Sequence, residues 1–180
     1  MPVIVVGGSN KSCGKTSLIC GIIAAFPEFK WTAVKISSHE YGQIEPVWEE
    51  TSSGQGTDTA RYLAAGAHRA LLVSASETAL PWREMQAALS QVRNVIYESN
   101  RISEEIQPDL RLAVAAGAET GFKLSFVPFL EVADAVIAPP GSEIILPVAS
   151  EKPIFRQSSH GEISLELMEW LRERLGLEQP

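Results

Sequence analysis

Six short, largely apolar runs alternate with stretches of helical spacing along this 180-residue chain, and that alternation narrows the possible folds more than any other feature. The runs are Val3 to Val6, Thr32 to Ile36, Arg69 to Ser74, Asn94 to Tyr97, Leu110 to Ala115 and Ala135 to Ala138. None places a polar residue at every second position, so they predict strands buried on both faces, as in a parallel sheet covered by helices. Helices are expected at Thr16 to Phe26, Asp58 to Ala65, Pro81 to Val92, Val127 to Ala133 and Ser164 to Leu175. The last spaces Leu165, Leu167, Met168, Leu171 and Leu175 to give one apolar side. Strand and helix taking turns predict a three-layer α/β architecture with a mainly parallel central sheet, built as a single domain over residues 1–180.

Two stretches interrupt the alternation. Ser37 to Thr57 is polar, carries Gly42, Gly54 and Gly56, and exceeds the length of an ordinary strand-to-helix connection, which marks it as a functional loop or lid. Pro139 to Gln157 contains four prolines and two short runs, Glu143 to Leu146 and Pro153 to Phe155, expected to add an antiparallel edge pair.

The first strand leads directly into chemistry. Val3-Ile-Val-Val-Gly7-Gly8-Ser9-Asn10-Lys11-Ser12-Cys13-Gly14-Lys15-Thr16 is an apolar strand, a glycine-bracketed polar loop and Gly-Lys-Thr, followed by the apolar helix that ends before Pro27. This is the setting of a phosphate-binding loop. Its turn directs backbone N–H groups at phosphate oxygens, Lys15 brings a point charge to the β and γ phosphates, and the helix N-terminus adds its dipole. The nucleotide-binding residues are therefore expected to be Gly8, Ser9, Asn10, Lys11, Ser12, Cys13, Gly14, Lys15, Thr16 and Ser17, with Lys15 catalytic and the Thr16 hydroxyl offered to Mg²⁺. The strict pattern has glycine five positions before Gly14; here that position is Ser9. Lys11 reads equally well as a second phosphate contact and as an exposed loop lysine.

A phosphate loop working with Mg²⁺ needs acidic residues at neighbouring strand ends. Glu98, directly after the Asn94 to Tyr97 run, is one metal candidate; its other reading is a strand-end carboxylate in water. Asp58 in Gly56-Thr57-Asp58-Thr59-Ala60-Arg61 is another, and equally a carboxylate favoured at the start of a helix.

The charge balance, 15 Lys+Arg against 22 Asp+Glu for a net −7 with no basic block, argues against nucleic acid and anionic membrane as partners. The most apolar stretch, Leu18 to Phe26, is about half the ~20 residues a membrane span needs. The N-terminus lacks a cationic leader, so a cytoplasmic location is expected. Cys13 and Cys20 are read as reduced. His39 and His160 have neither a histidine four residues away nor a cysteine cluster, so neither marks a structural metal site; His39 keeps some interest because it follows the Lys35 strand.

Gly8 to Thr16, then Thr32-Ala-Val-Lys35-Ile-Ser-Ser-His39, then Gly56-Thr-Asp58-Thr-Ala-Arg61 with Ala64-Ala-Gly66-Ala67, together resemble a divergent member of the molybdopterin-guanine dinucleotide biosynthesis protein B (MobB) type of P-loop GTPase. The likeness covers roughly the first hundred residues and includes Glu98. At Ile36 that family has a histidine, and its Glu-Gly after the later strand is Glu98-Ser99-Asn100 here. The resemblance implies a P-loop NTPase fold, GTP with Mg²⁺, slow hydrolysis and a protein partner in molybdenum cofactor maturation; a homodimer is a separate expectation. The wider class includes dethiobiotin synthetase, an ATP-dependent enzyme. By that likeness Lys35 faces the γ-phosphate as a second catalytic residue, Thr16, Asp58 and Glu98 hold the metal, and an ATP-dependent small-molecule ligase or kinase becomes the alternative function. A nucleotide-sensing module with negligible turnover is a further alternative. No Asn/Thr-Lys-x-Asp guanine motif is present, and Ala138-Pro139-Pro140-Gly141-Ser142 is a positional candidate for cradling the base.

Overall fold

The computed structural model describes residues 1–38, 45–54, 56–76, 78–117, 121–141, 144, 146–148, 151–158 and 162–177. Strand β1 (Val3–Gly8) leads through the glycine loop into helix α1 (Lys15–Ala25). Next come β2 (Thr32–Ser37), β3 (Val47–Glu49), α2 (Asp58–Ala64), β4 (Arg69–Ser74), α3 (Trp82–Leu89) and β5 (Val95–Glu98). The chain continues with β6 (Leu110–Val114), α4 (Phe126–Val132), β7 (Ala135–Ala138), β8 (Ile154–Arg156) and α5 (Leu165–Arg174).

The strands form an eight-stranded sheet in the order β3-β4-β2-β5-β1-β6-β7-β8, parallel throughout except that β3 runs antiparallel along β4. The apolar runs behave as expected: every residue of β5 and β7 is buried, and all of β1 except Val3. Alternate strand residues feed two separate cores. Ile4, Val6, Ala33 and Ile96 pack under α1, α2 and α5 with Leu18, Ile22, Tyr62 and Leu171. Val5, Val34 and Tyr97 pack against α3 and α4 with Met85, Phe126 and Phe129. At about 25 cal/mol per Å² of buried apolar surface, these two cores hold the three layers together.

The structure corrects two details. Ile154–Arg156 does not join an antiparallel pair: it lies parallel to β7, with Val136 opposite Ile154 and Ala138 opposite Arg156. The connection over residues 139–153 is long enough for a crossover, which parallel strands require and a hairpin does not. Of the expected partner run, residues 144 and 146 are described, and neither is in a strand.

The described second half of the expected lid is tied down rather than free. Val47–Glu49 pairs with β4, and Glu50, 8% exposed, donates its N–H to the Ala70 carbonyl at 2.9 Å. The Glu50 carboxylate then accepts from the Ser52 N–H (3.2 Å) and from the hydroxyls of Ser52, Thr57 and Thr59 (3.1, 3.1 and 3.2 Å). Thr57 in turn caps α2 by accepting the Ala60 N–H at 3.1 Å. One buried carboxylate thus sets where Asp58, the first residue of α2, stands.

Candidate functional site

The carboxyl ends of β1, β2, β4 and β5 surround a cleft of about 600 Å³. Outside the carboxyl ends of parallel strands is where open α/β sheets place ligands. β1 delivers Gly8 into tight quarters: a Cβ there would stand 2.5 Å from Cys13 Sγ and 2.8 Å from the Lys15 stem. Ser9, at the position of the strict pattern's first glycine, is fully buried, and its Oγ accepts the Ala116 N–H at 2.8 Å. Its φ is not positive, so a glycine is not required there, and the hydroxyl satisfies the backbone leaving β6. Gly14, at φ 102°, takes the left-handed turn into α1, a conformation in which a side chain would be strained.

No side chain caps α1, so the N–H groups of its first turn are free of a capping hydroxyl or carboxylate, the arrangement that receives an anion at a helix N-terminus. Lys15 Nζ donates to the Asn10 carbonyl (2.9 Å) and to Cys13 Sγ (3.6 Å). Of the expected loop residues, Gly8, Lys11, Ser12, Gly14, Lys15, Thr16 and Ser17 line the cleft; Ser9, Asn10 and Cys13 shape the loop from behind it.

Lys35, Asp58 and Glu98 converge beside Thr16. Lys35 on β2 and Glu98 on β5 are register partners on adjacent parallel strands, and their side chains are in contact. Lys35 Nζ also lies 2.9 Å from Asp58 Oδ2. The 3%-exposed Glu98 further accepts the Thr16 hydroxyl at 2.9 Å and the Tyr62 hydroxyl. Arg61 reaches from α2 to Ser17 Oγ at 3.2 Å and lies 3.7 Å from Asp58 Oδ1.

The electrostatics follow from this packing. Burial alone lowers the Lys35 pKa, but the Glu98 charge and the hydrogen bonds to Asp58 and Glu98 outweigh it and hold the pKa above its ordinary value. Burial alone raises the Asp58 pKa, but the Lys35 hydrogen bond and charge hold it below 3.8, its ordinary value. Burial, with the charge of Glu98, pushes the Tyr62 phenol well above its usual range, so it remains a donor.

The sign for stability is set by these directions. Asp58, whose pKa is depressed by folding, stabilises the protein above pH 3.8 and loses that effect as pH falls through its folded value. Lys35, whose pKa is raised, stabilises below pH 10.5 and loses that effect as pH rises through its folded value. In urea denaturation the fall in stability below pH 3.8 should therefore be shallower for Asp58→Asn than for the wild type. Equal slopes would show that Asp58 is not held in the ionised form by its neighbours.

Thr16, Asp58 and Glu98 offer hard oxygen donors and no sulfur or nitrogen, a set suited to Mg²⁺ sharing its shell with phosphates. Among the described residues there is no cluster of three His, Cys, Asp or Glu that would hold a metal without such help. His39 and His160 lie outside the described residues. Residues 138–141 of the positional base cradle do not line the cleft. Gln157 is brought to the loop instead, its Nε2 donating to the Gly14 carbonyl at 3.1 Å.

Several site residues escaped sequence reasoning. Asn100 clamps Gly8 on both sides, accepting its N–H at 2.7 Å and donating to its carbonyl at 3.1 Å, and so extends the β1–β5 ladder with a side chain. Tyr62 and Arg61 follow Asp58 at i+4 and i+3, a helical spacing that could have revealed them. Arg101 and Lys123 also line the cleft, with no sequence signal at all.

No protein-family model and no curated protein matches this sequence. Solved structures do. LpxK from Aquifex aeolicus, crystallised in complex with ATP, is similar at a TM-score of 0.57 and 16% identity, over 99% of this chain and 69% of that one. HypB from Helicobacter pylori, in complex with nickel, gives 0.54 and 17% over 98% and 89%. A MobB protein homolog from Bacillus stearothermophilus gives 0.51 and 18% over 98% and 99%. This chain has the P-loop NTPase fold. At these identities the likeness is one of fold, and the P-loop NTPase architecture accounts for the mainly parallel sheet and the loop between β1 and α1. Among the described residues no helix is long and apolar enough to cross a membrane.

Proposed function

We propose that this protein binds a nucleoside triphosphate with Mg²⁺ in the Gly8 to Ser17 loop and cleaves its γ-phosphoryl group by slow hydrolysis. The observation that carries this reading is the meeting of an uncapped α1 N-terminus and Lys15 with Lys35, Asp58 and Glu98 in one cleft. Thr16, Asp58 and Glu98 would hold Mg²⁺, which neutralises phosphate charge when bound. Lys15 exchanges the Asn10 carbonyl and Cys13 sulfur for phosphate oxygens, so that its ammonium gains negatively charged acceptors. Lys35 adds a second ammonium where charge builds on the transferring group, while the oxygen of an attacking water displaces the nucleoside diphosphate in line.

GTP is the proposed nucleotide, and a role beside a protein partner in molybdenum cofactor maturation is the proposed setting. The Lys35, Asp58 to Arg61 and Ala64 to Ala67 segments support it, as does a MobB homolog of matching length. A second reading, ATP-dependent phosphorylation or ligation of a small molecule, is favoured by the part of the cleft lined by Arg101 and Lys123, outside the expected loop residues. Titration calorimetry of GTP, ATP and their diphosphates, each with Mg²⁺ and with chelator, tests both. Expected is a triphosphate affinity at least about tenfold higher with Mg²⁺ than without, equivalent to one charged contact. Absence of triphosphate binding would overturn the proposal.

A further inference from the structure

The two halves of the cleft lie on opposite sides of the sheet and differ in chemistry. Lys35 and Glu98 continue the alternation of Ala33 and Ile96, which puts them on the α1, α2 and α5 side. That half holds Asp58 and Glu98, both carboxylates that line the cleft among the described residues. The other half is built by two connections that feed the α3 and α4 side: Ser99 to Arg101, which precedes Ile102 of that core, and Lys123 to Ser125, which enters α4. Among the described residues it contributes two cations, the Ser99 and Ser125 hydroxyls and no carboxylate.

Neither cation is neutralised by the described residues. The Arg101 guanidinium makes one hydrogen bond among the described residues, from Nη1 to the Ser76 carbonyl at 2.6 Å, which fixes it and leaves the rest of its donor fork open. Lys123 uses its backbone N–H on the Ser9 carbonyl at 2.8 Å, and its ammonium has no hydrogen-bond or ion-pair partner among the described residues. Burial and the nearby charges of Lys15, Lys11 and Lys35 lower its pKa, as expected of a corner short of negative charge. Among the described residues that line the cleft, six cationic side chains stand with two carboxylates.

We infer that Arg101 and Lys123 form a second anion subsite, on the α3 and α4 side of the cleft, that takes the phosphate group of a small molecule bound beside the nucleotide. Two cations with no carboxylate between them among the described residues suit a dianionic phosphate better than a single carboxylate, and the Ser99 and Ser125 hydroxyls supply neutral donors at the same wall. The inference rests on reading the first half as the triphosphate site.

The test uses protein saturated with Mg²⁺ and a non-hydrolysable triphosphate, titrated with inorganic phosphate by calorimetry. Phosphate should bind the wild type and lose at least about tenfold in affinity in Arg101→Gln and in Lys123→Gln, the loss of one charge-assisted contact. Triphosphate affinity should change less than about threefold in both variants, a small fraction of such a contact. No phosphate binding to the saturated wild type would overturn the subsite. So would a loss of triphosphate affinity as large as the loss of phosphate affinity, which would assign both residues to the nucleotide. If the wild type binds no triphosphate at all, the nucleotide reading fails; phosphate binding to the empty cleft that survives both substitutions would then overturn the subsite as well.

Discussion

Lys15→Ala should weaken Mg²⁺–triphosphate binding at least about a hundredfold, because two charge-assisted hydrogen bonds to phosphate contribute roughly 3 kcal/mol together. Folding should hardly notice. The ammonium touches a carbonyl and a thiol and forms no ion pair among the described residues, so its removal should cost within about 0.5 kcal/mol. Titration calorimetry and urea denaturation of the same sample separate the two effects. Unchanged nucleotide affinity in a folded variant would remove the phosphate-loop reading.

Glu98→Ala should show the opposite balance. Glu98 is 3% exposed and serves the hydroxyls of Thr16 and Tyr62 as well as the Lys35 ammonium. Its loss leaves a buried phenol without an acceptor and a half-buried ammonium with Asp58 alone. Cutting one partner from such a cluster costs about 3 kcal/mol. The dependence of triphosphate affinity on Mg²⁺ should disappear in the same variant, since one of three proposed metal oxygens is gone. A stability loss below about 1 kcal/mol would show that the cluster is held by its surroundings rather than by its charges.

These two residues also show what was legible in the sequence. Lys15 is marked by local chemistry: the glycine turn, the neighbouring threonine and the helix that follows are all contiguous with it. Glu98 is marked only by standing at the end of an apolar run, and its meaning depends on residues 36 to 82 positions away. Sheet pairing supplies that information. The same holds for β8, whose three residues carry no sign of whether they will lie parallel or antiparallel, and for β3, which exists because β4 offers it an open edge. Ser9 looked like a departure from the loop pattern; its role became clear only when β6 placed the Ala116 N–H above its hydroxyl. Arg101 and Lys123 were invisible because cations in connections have the same local signature wherever they point.

The register pairing of Lys35 with Glu98 has a further consequence for how this gene product tolerates change. Both residues depend on strand parity, since inserting or deleting a single residue within β2 or β5 would turn one of them to the opposite side of the sheet. A whole-strand frame is therefore written into the site, whereas the connection before α3 can lengthen or shorten without moving either group. Length variation in related chains should be confined to such connections, and the spacing from Thr32 to Lys35 and from Val95 to Glu98 should act as a fixed ruler.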